Sequence, residues 1–245
     1  MTALILAAGR SRRMGRDVPK VLLPVCGRPL LAYVVDAARG AGAERIIVVV
    51  GDGRDLVQQK FGTGGLEFAV QTEQRGTAHA VLACRNRLAD DEEVVVLCGD
   101  APLITSRTVR RLAAARVETG ADIALFTARL SDPADYGRVI RASNDEVERI
   151  VERRDATEHE LQVKEVNSGL YSFQWGRVLP ALERVRPSPT TGEYYLTDLV
   201  REIRAGGGRV VAVLADDPSE MLGANTPVEL ARIEAELGRR VYARG

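Results

Sequence analysis

An α/β fold with a mainly parallel sheet and helices on both faces is predicted by three features of these 245 residues. Near-continuous β-branched runs occur at Arg45–Val50 (RIIVVV) and Glu93–Leu97 (EVVVL), the pattern of strands covered on both faces. Helix-like patterns alternate with such apolar bursts from residue 3 to residue 130. Hydrophobic content is 45% and charged content 28%, ordinary for a globular protein of a length that supports one sizeable core.

In chain order, Ala3–Leu6 reads as a strand and Pro29–Arg39 as a helix, with apolar residues at 30, 31, 34, 35, 37 and 38. Strand Arg45–Val50, helix Arg54–Phe61, strand Leu66–Val70 and helix Thr77–Leu88 follow. Next come strand Glu93–Leu97, helix Thr105–Glu118 and strand Asp122–Leu130. The rhythm then changes. Val139–Arg141 and Val147–Val151 flank the turn pair Asn144-Asp145 and predict a hairpin. Val163–Phe173 reads as one long strand, followed by helices Gly176–Glu183 and Tyr194–Ala205, strand Arg209–Leu214 and helix Pro227–Tyr242. The expectation is a single domain over 1–245 whose second half adds antiparallel strands over one side of the sheet.

Charge and cysteine content narrow the function. There are 34 basic and 34 acidic residues, so the chain has no bulk attraction for nucleic acid or a membrane surface. Cys26, Cys84 and Cys98 form no CxxC pair, which argues against a disulfide framework or a zinc site and fits a reducing, cytoplasmic setting. The apolar stretch Ala3–Ala8 is too short for a signal peptide, and no apolar run approaches the ~20 residues of a membrane span.

Two clusters stand out where strands end. The first strand runs into Ala7-Ala8-Gly9 and then Arg10, Arg12, Arg13, Arg16 and Lys20. Ligands of parallel α/β sheets bind beyond the carboxyl ends of strands, so this loop is either a polyphosphate cradle or a solvated surface segment. It contains neither GxGxxG nor GxxxxGK[ST]. The second cluster, VVVLCGDAPL, puts Asp100 at the same edge, as a ligand for a hard cation such as Mg²⁺ or as a turn aspartate capping the next helix. The two histidines read as a structural His79 in mid-helix and a solvated His159. GxSxG, HExxH and CxxC are all absent. Phosphoryl or nucleotidyl transfer, which needs positioning and charge stabilisation more than a protein nucleophile, is therefore favoured.

The stretch LAAGRSRRM followed by PKVL resembles the signature L-A-A-G-x-G-T-R-M-x5-P-K of the sugar-phosphate nucleotidylyltransferases. VQTEQRGTAHAV, LCGDAPLI, DPADYGRVIR, IVERRDAT, EVNSGLY, GEYYLTD and GANTPVEL resemble one branch of it in order and spacing, so the resemblance covers nearly the whole chain. That branch is the uridylyltransferase half of the bacterial bifunctional N-acetylglucosamine-1-phosphate uridylyltransferases / glucosamine-1-phosphate acetyltransferases.

The resemblance implies a Rossmann-like mixed sheet, with residues 3–130 mainly nucleotide-binding, an antiparallel sugar-binding subregion at 131–225 and a C-terminal helix at 226–245. It implies that Leu6, Ala7, Ala8 and Gly9 receive the nucleotide and that Arg13 and Lys20 act on the phosphates. Gln71, Gln74 and Gly76, with Thr77 close by, would read uracil, since one amide can both donate to a carbonyl and accept from the ring N–H. For the two glutamines, surface polarity is the other reading. Asp100 and Asn225 would ligate Mg²⁺, and Gly137, Glu152 and Asn167 would bind the sugar phosphate, although Glu152 also reads as an exposed strand-end carboxylate.

The implied reaction joins UTP and N-acetyl-α-D-glucosamine 1-phosphate, giving UDP-N-acetylglucosamine, a precursor of peptidoglycan and lipopolysaccharide, and pyrophosphate. A UDP-glucose- or dTDP-glucose-forming enzyme and a non-catalytic nucleotide-sugar-binding module remain open. Two departures from the family pattern are Ser11 in place of its second glycine and Cys98 in place of an aromatic residue near the sugar. Hexapeptide repeats are missing, so no left-handed β-helix and no acetyltransfer are expected. The family's usual oligomer, built largely through that half, is not assumed, and a monomer is open.

Overall fold

The computed structural model describes residues 1–9 and 18–242. Strand β1 (Thr2–Ala7) lies between β4 (Arg45–Val50) and β6 (Glu93–Cys98), parallel to both. Between β1 and β4 come the two-residue strands β2 (Pro24–Val25) and β3 (Arg28–Pro29) and helix α1 (Leu30–Gly40). Helix α2 (Arg54–Phe61) leads to β5 (Glu67–Val70), which extends the parallel run beyond β4. Helix α3 (Thr77–Leu82) then brings the chain back to β6, on the other side of β1. Connections thus leave β1 in one direction and return on the other. This reversal opens a crevice between the carboxyl ends of β1 and β6, where ligands of open α/β sheets bind.

The rest of the chain enters the same sheet. After α4 (Ser106–Thr119) come β7 (Ile123–Arg129), the hairpin β8 (Arg138–Arg141) and β9 (Val147–Val151), and the one-turn helix α5 (Glu158–Leu161). The long β10 (Glu165–Gln174) runs antiparallel between β6 and β7. Helices α6 (Trp175–Leu182) and α7 (Asp198–Ala205) precede β11 (Val210–Leu214), which is parallel to β7 at the sheet edge. The order is β11-β7-β10-β6-β1-β4-β5, with β8 branching from β10. The antiparallel strands therefore do not lie over one side of the sheet, as the sequence suggested. Gly169, at φ +80°, and a register shift between Asn167 and Tyr171 in β10 let one strand pair with β6 and β7 while its first half reaches β8.

Alternation along the strands feeds two cores, one on each face. Leu4, Ile47, Val49, Val94, Val96, Leu125 and Phe173 pack with Val81 of α3, Trp175 and Val178 of α6, and Leu199 and Val200 of α7. Ala3, Ile5, Val48, Val50, Val95, Leu97 and Phe126 pack with Leu31 and Val34 of α1, Val57 of α2, and Val109 and Leu112 of α4. Local chemistry sets the helix ends. Thr105 caps α4 by accepting from the Thr108 N–H at 3.2 Å, and Gly120 ends it in the left-handed conformation. Asp100 therefore does not cap α4. The predicted helix 77–88 stops at Leu82 and continues as a 3-10 turn at Arg85–Arg87, and the predicted helix 194–205 begins only at Asp198.

A smaller core fixes the rim. Helix α8 (Pro227–Tyr242) sets Ile233 and Leu237 against Leu23, Val25, Leu30 and Leu103. It thereby anchors the segments leading from Lys20 and from Asn225 to one corner.

The segment before α7 is clasped to the start of α3. Ala78 N–H donates to Tyr194 O at 2.9 Å, Tyr194 N–H to Arg75 O at 2.7 Å, and Leu196 N–H to the Thr77 hydroxyl at 2.8 Å. Gly76, at φ +108°, makes the approach possible, because a Cβ there would stand 2.4 Å from Tyr194 O and 2.7 Å from Tyr194 N. Gly76→Ala is expected to destabilise the fold by about 2–3 kcal/mol through strain and overpacking. Urea unfolding checks this, and an unchanged midpoint would mean that the clasp yields freely.

Candidate active site

The crevice floor is the end of β1. Leu6 is half-buried, Ala7 and Ala8 are buried and Gly9 is exposed. The Gly99 N–H donates to Leu6 O at 2.9 Å, and a Cβ on Gly99 would sit 3.0 Å from that oxygen. Glycine at 99 thus lets the turn after β6 lie against the end of β1. Arg13 and Ser11 fall outside the described residues.

At one corner of the crevice three distant segments converge. Lys20 opens a 3-10 turn, and its ammonium pairs with Asp100 and donates to Asn225 Oδ1 at 2.9 Å. Ala224 N–H donates to Asp100 O at 3.1 Å, while Asn225 N–H donates to Glu229 Oε2 at 3.0 Å, which orients the 223–226 loop. Gly223 sits between the two side chains; a Cβ there would be 3.4 Å from both Asp100 Oδ2 and Asn225 Nδ2. The expected metal ligands are therefore neighbours, and their oxygens already face a cation. Among the described residues no cluster of three or more His, Cys, Asp or Glu could hold a metal. A carboxylate plus an amide oxygen nonetheless suits a hard cation that keeps water and phosphate as its other ligands.

A second corner follows β5. Gln71 is buried rather than a surface polar residue, and its Nε2 donates to Gly76 O at 3.0 Å and meets His79 Nδ1 at 3.1 Å. Both amide hydrogens are thereby used. The expectation that one amide both donates to and accepts from uracil fails for Gln71, which has only Oε1 left to offer. Gln74 Nε2 is buried with no partner among the described residues, and a Cβ on Gly51 would lie 2.8 Å from it. Thr77 holds Leu196, so its hydroxyl serves the clasp described above.

The third corner is built from β8, β9 and β10. Asn167 N–H donates to Gly137 O at 2.9 Å, and Asn167 Nδ2 donates to the Tyr171 hydroxyl at 2.8 Å. Asn167 Oδ1 is buried and unpartnered among the described residues. A Cβ on Gly137, just before β8, would stand 3.1 Å from Ile150 Cγ2 and 3.6 Å from Glu152 Oε1, so Gly137 packs close to β9 beside that carboxylate. Glu152 accepts from the Thr197 hydroxyl at 2.9 Å. Burial raises its pKa, the Thr197 bond opposes the shift, and the negative charges of Asp198, Asp155 and Glu193 add to it. Glu152 is thus no exposed strand-end carboxylate. A cavity of about 650 Å³ shares Glu152 and Thr197 with this corner, and its lining includes none of Gly9, Lys20, Asp100 or Asn225.

Sequence reasoning missed four residues here. Tyr136 donates to Met221 O at 3.3 Å, and burial pushes its hydroxyl up to about 12, with the charge of Asp100 adding to the shift; it joins the segment just before β8 to the loop that leads to Asn225. Tyr194 and Thr197 act through contacts more than 40 positions away along the chain. His79 reads as merely structural until its partner is seen. Cys98 packs 2.8 Å from where a Gly169 Cβ would stand, and burial pushes its thiol up to about 12. The small side chain at 98 thus fits the tight turn of β10.

The chain has relatives in sequence and in fold. The bifunctional protein GlmU of Caldanaerobacter subterraneus is 41% identical over 98% of this chain, that of Pelotomaculum thermopropionicum 44% over 98%, and that of Bacillus cereus 41% over 98%. The chain spans about half the length of these relatives, 52%, 53% and 52% respectively. A crystal structure of UDP-glucose pyrophosphorylase complexed with UDP-glucose shares the fold, with TM-score 0.79 at 16% identity over 98% of both chains. The family model described as a MobA-like NTP transferase domain matches residues 3–164, from β1 to the residue before β10, and by that match the chain belongs to the MobA-like NTP transferase family.

Proposed function

We propose that this chain is a uridylyltransferase that joins UTP to N-acetyl-α-D-glucosamine 1-phosphate, forming UDP-N-acetylglucosamine and pyrophosphate. The observation that carries this reading is the meeting of Lys20, Asp100 and Asn225 at the carboxyl edge of β1 and β6, between an amide-lined corner and a carboxylate–amide corner. The likeness to the GlmU proteins supports the choice of substrates.

In the proposed reaction a phosphate oxygen of the sugar phosphate attacks the α-phosphorus of UTP. The P–O bond to the β,γ-diphosphate breaks in line, and pyrophosphate leaves. The attacking oxygen is already anionic, so no general base is needed. Lys20 and, by the resemblance, Arg13 stabilise charge on the transferred phosphate and the leaving group. Asp100 and Asn225 would hold Mg²⁺, which when bound neutralises phosphate charge. Asn167 Oδ1 and Glu152 offer acceptors to sugar hydroxyl or amide N–H donors, and Gly137 O holds Asn167 there by accepting from its N–H. Gln71 Oε1 and Gln74 Nε2 supply one acceptor and one donor to the base. Leu6–Gly9 receive the nucleotide along the main chain.

Pyrophosphate release across a panel of nucleoside triphosphates and sugar 1-phosphates tests this reading. The expected optimum is UTP with N-acetylglucosamine 1-phosphate. A preference for glucose 1-phosphate or dTTP, or no release from any pair, overturns it. Lys20→Ala and Asp100→Ala are each expected to lower turnover at least about a hundredfold while leaving the melting curve cooperative, since each removes a preorganised charge. Near-normal release from either variant would refute its role.

Glu152→Gln separates binding from stability. Burial raises the folded-state pKa of Glu152, so its carboxyl favours the fold only while protonated. That contribution is complete below the ordinary value of 4.5 and is lost as pH rises through the higher folded value. The variant should therefore melt above the wild type at pH 8, by a margin that closes toward pH 4, while its KM for the sugar phosphate rises about tenfold. A lower melting temperature at pH 8 would show that the carboxylate is not strained.

A further inference from the structure

We infer that His79 is a positioning residue that locks the Gln71 amide with its oxygen toward the nucleotide and so tunes the site for a base carrying a ring N–H. The inference rests on the proposed uridylyl transfer and adds a group for which that mechanism has no use. His79 is half-buried in α3, between the buried Ala78 and Ala80. Its Nδ1 lies 3.1 Å from Gln71 Nε2, whose other hydrogen goes to Gly76 O at 3.0 Å.

An amide nitrogen has two hydrogens and no lone pair to give, so Nδ1 must be the acceptor, and the proton of the neutral ring sits on Nε2. Turning the amide over would set Oε1 against the Gly76 carbonyl and give up that bond, even if the His79 proton moved to Nδ1 to keep the other. The pair of acceptors therefore leaves Gln71 with a single face to present, an oxygen. Uracil offers N3–H to that oxygen. Cytosine and adenine offer an unprotonated ring nitrogen at the corresponding edge, which meets it lone pair to lone pair. A helix residue that touches no substrate thus sets the polarity of the base-reading amide.

The test combines spectroscopy on the wild-type protein with two substitutions. A long-range ¹H–¹⁵N correlation spectrum of histidine-labelled protein has only two rings to assign, since the chain contains two histidines. His79 is expected as the Nε2–H tautomer, with Nδ1 bare. The Nδ1–H tautomer overturns the inference and is readable whether or not UTP is the substrate. His79→Leu leaves one Gln71 hydrogen without its partner. The expected result is a KM for UTP raised about tenfold with kcat within about threefold, and a similar fall in the UTP-over-CTP ratio of kcat/KM.

His79→Asn returns an acceptor oxygen near the Nδ1 position and should restore both quantities to within about threefold of wild type. Unchanged UTP kinetics in His79→Leu, or a tenfold loss of base preference in His79→Asn, refutes the role. If His79→Leu does not fold, the tautomer and His79→Asn still decide. Wild-type protein that ignores UTP but keeps the Nε2–H tautomer counts against the proposed reaction, while the His79–Gln71 bond stands.

Discussion

An ammonium held between a carboxylate and an amide oxygen ties three remote parts of the chain to one point on the sheet rim. Lys20, Asp100 and Asn225 are brought there by different elements, and none is placed by its neighbours in sequence alone. Asp100 follows from the end of β6, Lys20 from the turn after Pro19, and Asn225 from a loop braced by Glu229. The small core under α8 keeps the last two in register. Since reactants of like charge resist approach, a rim that supplies both a positive side chain and oxygen donors for a cation suits phosphate chemistry.

The other two corners are specified by atoms left without a protein partner. Asn167 Oδ1 and Gln74 Nε2 are buried and unpaired among the described residues. A bare buried polar atom costs roughly 1–3 kcal/mol. In the proposed reading a substrate satisfies each of them. Around them the neighbouring amide nitrogens are engaged: Gln71 Nε2 by Gly76 and His79, and Asn167 Nδ2 by Tyr171. The contrast between saturated supports and unsaturated tips gives the crevice its directionality.

Much of this was legible in the chain itself. RIIVVV, EVVVL and the helical spacing of Pro29–Arg39 state their structure plainly, because burial on both faces or on one stripe leaves a period in the sequence. That Asp100 and Gly9 share an edge follows from strand direction. The insertion of β10 between β6 and β7 does not, because strand order depends on contacts among residues more than 70 positions apart. Glu152 and Gln71 read as surface polar residues until the elements that cover them are known. His79 reads as a merely structural mid-helix residue for the same reason. Its role lies in a hydrogen bond to a strand end eight residues earlier, and apolar spacing carries no trace of that bond.

The placement of β10 also bears on how the protein comes into being. During synthesis β7 leaves the ribosome before either of its sheet neighbours, since residues 165–174 and 210–214 are still to come. Strands 2–7, 45–50, 67–70 and 93–98 can pair as they emerge, yet β6 keeps an open edge until β10 arrives. Long-range pairing of this kind is slow and leaves edges exposed meanwhile. The parts of the chain before and after residue 130 therefore complete each other's strand pairing. A nascent chain ending near residue 130 would carry an unsealed sheet, prone to stick to its neighbours.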